Sequence, residues 1–201
     1  MDDKAILHRY LRTARSDLVG KVDGLGEYDA RRPLTPTGTN LLGLVKHVAS
    51  VQLGYFTDVF GRPTDIALPW FADDAEPDAD MWVTADESRA SVLELHEASA
   101  RASDAVIEEL DLDAPGEVPW WPEDRRAVTL HQILVHVLAE TARHAGHADI
   151  LRELVDGSAG GRPGDPNLPD RPADEWARYC ARIDAAARDA AARAGESTAP
   201  S

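Results

Sequence analysis

The sequence predicts an all-α protein: an antiparallel four-helix bundle with long inter-helix loops and an extra C-terminal helix. Three observations carry that prediction. Four long segments repeat apolar residues at three- and four-residue intervals, the spacing that lays a stripe along one side of a helix. No segment alternates apolar and polar residues for long enough to make a useful strand. Capping residues, glycine and proline fall where the four segments begin and end.

The first helix is expected near 2–22, where Ile6, Leu7, Tyr10, Leu11, Ala14 and Leu18 recur at helical spacing. The second is expected near 37–60. Its segment, "TGTNLLGLVKHVASVQLGYFTDVFG", follows Pro36, offers Thr39 or Asn40 as N-cap, and stops at Gly61-Arg62-Pro63. The third, near 84–110, opens on "TADE", where Thr84 and Glu87 have capping-box spacing. The fourth, near 128–156, opens on "TLHQ", where Thr129 and Gln132 repeat that logic, and closes on Gly157. Residues 1–157 would form the bundle. A Gly/Pro-rich linker at 158–171, a fifth helix at 172–194 and a disordered tail at 195–201 would follow.

The connections are unusual in their aromatic content. Residues 62–83 hold Trp70, Phe71 and Trp82 around the acidic run "ADDAEPDAD", and 111–127 hold "PWWPED". Trp120 and Trp121, between prolines, cannot sit inside a helix, so they belong to an ordered loop that plugs the bundle end or walls a pocket.

Composition narrows the function classes. With 21 basic and 36 acidic residues the net charge is −15, a field that repels phosphate backbones and anionic lipids. No nucleic-acid or membrane partner is expected. Cys180 is the only cysteine, so no intramolecular disulfide can form, and a reducing, cytoplasmic setting fits. The start "MDDKAILHRY" is acidic where a secretory signal would be basic, and no apolar run approaches the roughly 20 residues of a membrane span. Abundant alanine and only three lysines suggest a GC-rich genome.

The stretch "HVLAETARHAGHADILRE", residues 136–153, carries the chemistry. At 100° per residue, His136, Glu140, His144 and His147 fall within one arc that also contains Ile133, Val137 and Leu151. Ionisable side chains on a face that should be buried need a partner or a metal. On the second helix His47 shares an arc with Gly43, Ser50, Val51 and Gly54; such small residues let another element approach or leave room for a ligand. Two histidines and a carboxylate with one open position suit Zn²⁺, and the same set can hold Fe²⁺ or Ni²⁺. His136 could geometrically replace either ligand of the fourth helix. His8 and His96 are expected at the surface or rim, His131 in solvent, and Cys180 as a small, partly buried residue.

"NLLGLVKHVASVQLGYF", followed at a distance by "LVHVLAETARHAGHADILRELVDG", resembles the DinB-like superfamily. It is most similar to the actinobacterial branch related to mycothiol-dependent maleylpyruvate isomerase and mycothiol S-transferases. The resemblance covers most of 5–157. It implies a divalent metal held by His47, Glu140 and His144, glutamate first and histidine second being that branch's pattern. Where the "HHRGQ" version of the motif has glutamine, this chain has His147, which implies a supporting role there.

The function so implied is metal-dependent transfer of a low-molecular-weight thiol, mycothiol, to small electrophiles, with the metal-bound thiolate as nucleophile. Tyr55, Trp70, Trp120 and Trp121 would line the pocket, His136 would support it, and Arg143 would pair with a carboxylate on thiol or substrate. Two other readings stand beside it: a metal-dependent hydrolase that uses bound water, and a non-catalytic metal- or ligand-binding bundle. A homodimer is expected from the aromatic surface of the loops and the fifth helix.

Overall fold

The computed structural model describes residues 2–161 and 167–196. Its first compact unit, Met1–Pro166, contains α1 (Asp3–Gly20), the short α2 (Glu27–Arg31), α3 (Leu41–Phe56), α4 (Arg89–Glu109) and α5 (Leu130–Asp156). The second, Asn167–Ser201, contains α6 (Ala173–Ala194). The tail at 197–201 and linker residues 162–166 lie outside the described residues.

The caps follow the sequence closely. Asp2 accepts from the Ala5 amide at 2.8 Å, Asn40 from Gly43 at 2.8 Å and Thr129 from Gln132 at 3.3 Å. Each satisfies an amide that the first helical turn leaves unpaired. Gly157 closes α5 in the left-handed region, with φ +76°, where a glycine escapes the Cβ clash. The third long helix departs from expectation. Thr84 donates its amide to Glu87 Oε2 at 2.9 Å, which is half of a capping box, but the helix starts five residues later, with Ser88 as its cap. The other oxygen of Glu87, Oε1, pairs with Lys46 Nζ at 2.8 Å.

Side-chain register gives the direction of each helix. Ser99 and Ser103 of α4 donate to the Ala49 and Gln52 carbonyls of α3, so these two helices run parallel. His8 meets Asp104 while Arg89 meets the Val22 and Leu25 carbonyls, so α1 opposes α4. Tyr55 faces His136 while His47 faces His144, so α3 opposes α5. The antiparallel bundle is thus two parallel pairs packed against each other. A parallel pair cannot be joined by a tight turn, which is why α3 and α4 need the long aromatic connection between them. That connection carries two 3-10 turns, Asp58–Phe60 and Pro69–Phe71.

The only β-structure among the described residues is a hairpin, β1 (Pro115–Glu117) with β2 (Ala127–Thr129), registered Gly116 to Val128. It brackets the Trp120–Trp121 loop. A Cβ at Gly116 would come within 2.8 Å of the Phe60 ring, so only glycine lets this strand lie against the end of α3.

The core forms two apolar clusters. One groups Leu11, Phe56, Val106 and Ile133; the other groups Leu18, Leu44, Val92 and Ala148. Polar side chains including Arg15, Gln52, His96, Ser99, Ser103 and Thr141 are also buried. His8 and His96 are therefore not surface residues. His8 Nε2 lies 2.8 Å from Asp104, which also takes Arg12 and Arg15. Burial, reinforced by the charge of Arg15, holds His96 down to about 4, so it is a neutral core residue. In the second unit, Cys180 is exposed rather than partly buried.

Candidate metal centre

His47 comes from the middle of α3, and Glu140 and His144 from successive turns of α5. Each of the three offers a ligand atom, and those atoms lie within 4.8 Å of one another. The ring centroids of His47 and His144 are 4.8 Å apart at an interplanar angle of 75°. His144 Nε2 lies 3.4 Å from Glu140 Oε1 without hydrogen-bond geometry, and neither ring nitrogen of His144 has a hydrogen-bond partner although both are buried. Burial first, then the neighbouring His47, lowers the His144 pKa, keeping the imidazole neutral, the form that ligates a cation. A buried imidazole without hydrogen bonds is costly, and a metal ion would relieve that cost. Hard carboxylate and borderline imidazole donors together suit a divalent ion.

A residue that the spacing did not suggest completes the group. Asp80 Oδ2 lies 2.6 Å from His47 Nδ1. Burial alone would raise the Asp80 carboxyl, but the hydrogen bond and charge of His47, with Lys46 nearby, outweigh it and hold the pKa below the usual carboxylate range. A carboxylate accepting from Nδ1 leaves Nε2 as the lone-pair nitrogen, the usual way a protein orients a ligating histidine. Asp80 reaches that position because its loop is strapped down. Lys46 is 2% exposed; its ammonium donates to the Ala79 and Trp82 carbonyls at 2.9 and 3.1 Å and lies 4.1 Å from the Trp70 ring centroid. In the acidic run between Trp70 and Trp82, nothing distinguishes Asp80 in sequence from its neighbours. The strongest hint in the sequence is Lys46, a lysine flanked by the apolar run Leu41–Val45 on a helix that is buried along most of its length.

The centre opens into a cavity of about 670 Å³ between α3 and α5. His47, Ser50, Gly54 and Asp58 line it along α3, and Glu140 and His136 line it from α5. Tyr55 and Trp120 form part of its wall, together with Leu68 and Phe71. Trp121 and Trp70 stand behind the wall. Trp121 Nε1 donates to the Tyr55 hydroxyl at 2.9 Å and Trp70 Nε1 to Ser50 Oγ at 2.9 Å. His136 packs its ring against Tyr55 and Trp121, at 4.8 and 5.1 Å between centroids. His147 is exposed, with its ring 5.5 Å from that of His144. Arg143 is exposed and does not line the cavity.

Fold and site together define a helical bundle with a His/Glu/His group beside a cavity between two of its helices. A family model described as mycothiol-S-transferase matches residues 6–157, and the chain belongs to that family. A solved structure described as a conserved protein from Enterococcus faecalis is similar in fold: TM-score 0.57 and 17% identity, over 79% of this chain and 99% of that one. No curated protein sequence matches significantly. No described helix is long and apolar enough to cross a membrane.

Proposed function

We propose that the protein is a metal-dependent mycothiol S-transferase that joins the thiol to a small electrophile. The convergence of His47, Glu140 and His144, the first two of which also line an aromatic-walled cavity, carries this reading, and the family match supports it. His47, Glu140 and His144 would hold the ion, with zinc the first choice for two imidazoles and a carboxylate. When bound, such an ion supplies the Lewis acidity that makes a coordinated thiol a nucleophile at neutral pH. Asp80 holds the His47 ring in its tautomer and orientation. Tyr55 and Trp120 exclude water from the electrophile and present an apolar surface to it. In the reaction the sulfur–carbon bond forms, the leaving group departs with its electron pair, and the thiol proton passes to solvent.

The cavity's charges favour this kind of thiol. Glu140 and Asp58 are acidic, and no lysine or arginine lines the cavity among the described residues. With Glu140 held by the ion, a thiol bearing carboxylates, such as glutathione, would still meet the Asp58 charge, with no basic side chain in the lining to pair with. Mycothiol, a cysteinyl pseudodisaccharide uncharged apart from its thiol, would not. The test is to incubate zinc-loaded protein with mycothiol and 1-chloro-2,4-dinitrobenzene and follow the conjugate. Formation that needs both metal and mycothiol, and that glutathione does not replace, is the expected result. Turnover of ester or amide substrates without thiol, and no conjugate, would favour the hydrolase reading instead.

A further inference from the structure

We infer that Asp58 and Trp120 form a polyol-binding subsite at the outer end of the cavity, which takes the sugar part of the thiol. The inference rests on the proposed use of mycothiol and adds where that molecule lies. His47, Ser50, Gly54 and Asp58 fall at intervals of three and four along α3 and the turn that follows it, and all four line one cavity. Eleven residues at helical rise place Asp58 about 16 Å along the axis from His47. A cysteinyl chain ending in two linked six-membered rings spans a comparable distance when its sulfur is at the metal end.

The outer end has the parts that recognise such a ring. Trp120 is 53% exposed and presents an aromatic face, held edge-on to Tyr55 at 5.3 Å. The apolar C–H face of a sugar can cover it while the hydroxyls point outwards. The exposed Asp58 carboxylate, an acceptor only, is suited to adjacent hydroxyl donors, and charge-assisted bonds of this kind are the stronger class. Between the two lies Gly54. A Cβ there would stand 3.7 Å from Trp120 and 3.9 Å from Asp58 Oδ2, so the missing side chain keeps the floor between them open. Glycine is a poor helix former, and alanine would fit here in ordinary contact, so the open floor is a feature that a ligand can use.

Calorimetric titration of the full chain with the sulfur-free N-acetylglucosaminyl-inositol pseudodisaccharide, its amine acylated as in mycothiol, and of the zinc-loaded chain with mycothiol and N-acetylcysteine amide, tests this. Asp58→Asn should weaken the pseudodisaccharide and mycothiol by on the order of tenfold, while N-acetylcysteine amide changes by less than about twofold. Gly54→Val should cause a comparable loss by filling the floor, with metal content and helical spectrum unchanged in both variants. If wild-type protein binds mycothiol and both variants bind it equally well, the subsite is wrong while the transferase reading stands. If benzylamine binds at Asp58 more tightly than the pseudodisaccharide, the subsite takes a cationic electrophile and the polyol assignment falls. If wild-type protein binds neither thiol, the transferase reading falls and takes this subsite with it.

Discussion

His47 has neighbours on both sides: Asp80 at 2.6 Å from Nδ1, and Glu140 and His144 of α5 opposite. That arrangement makes a prediction beyond the three ligands. Asp80→Asn keeps the size and removes the charge, and should weaken divalent metal binding by roughly 10- to 100-fold. Competition with a chromophoric chelator measures this, and unchanged affinity would reduce Asp80 to a loop anchor. The grouping of His47, Glu140 and His144 was legible in the sequence because helical spacing fixes which side chains share a face: Glu140 and His144 are one turn apart, and His47 sits among glycine and serine. Asp80 was not legible, because it lies 33 residues from its partner on a loop where five acids look alike. Loop contacts obey no period. His96 failed for a related reason, since a lone histidine on a helix does not reveal whether its neighbours bury it.

At the scale of elements, the connection between α3 and α4 is part of the site. Gly43 lets it approach. A Cβ at Gly43 would overlap the Met81 carbonyl oxygen and come within 2.7 Å of Asn40 Oδ1, while Asn40 Nδ2 donates to that same carbonyl at 3.1 Å. Gly43→Ala must therefore push away the loop that carries Asp80. The expected result is a loss of stability of about 2 kcal/mol, in the range of overpacked sites, together with weaker metal binding. Denaturant unfolding and the chelator assay read the two effects separately, and a stable variant with full affinity would contradict this account of the loop. The four long helices and most of their caps could be read from periodicity and capping residues. The short α2 and the parallel pairing of α3 with α4 could not. A helix of five residues carries little periodicity, and helix direction is set by long-range packing. The late start of α4 was not legible because Ser88, four residues on, caps the helix by accepting from the Ser91 amide, while Glu87 bridges the Thr84 amide and Lys46 with its two oxygens.

At the scale of the whole molecule, the buried polar groups should leave a signature in stability. His96 titrates near 6.5 when unfolded and at about 4 in the fold. Below pH 6.5 the unfolded chain therefore binds the proton more readily. The stability present above 6.5 is lost as pH falls towards 4, by roughly 3 kcal/mol for this group. Unfolding of metal-free protein in denaturant at a series of pH values should show that slope, and His96→Gln should flatten it; an unaltered slope would place its origin in other groups. The second unit bears on assembly, since α6 leaves Tyr179 and Ile183 exposed at 37% and 53%. A homodimer is expected in sedimentation at on the order of tens of micromolar, and a strict monomer there would count against it. The account as a whole depends on one claim, that His47, Glu140 and His144 hold one divalent ion. Its most direct test is the metal content of wild-type and His144→Ala protein purified without chelator, with circular dichroism as the control for folding. The account predicts one ion per chain in the wild type, and almost none in a variant whose helical spectrum is nearly intact. A His144→Ala protein that kept its ion with unchanged affinity would contradict the assignment and direct attention to His136.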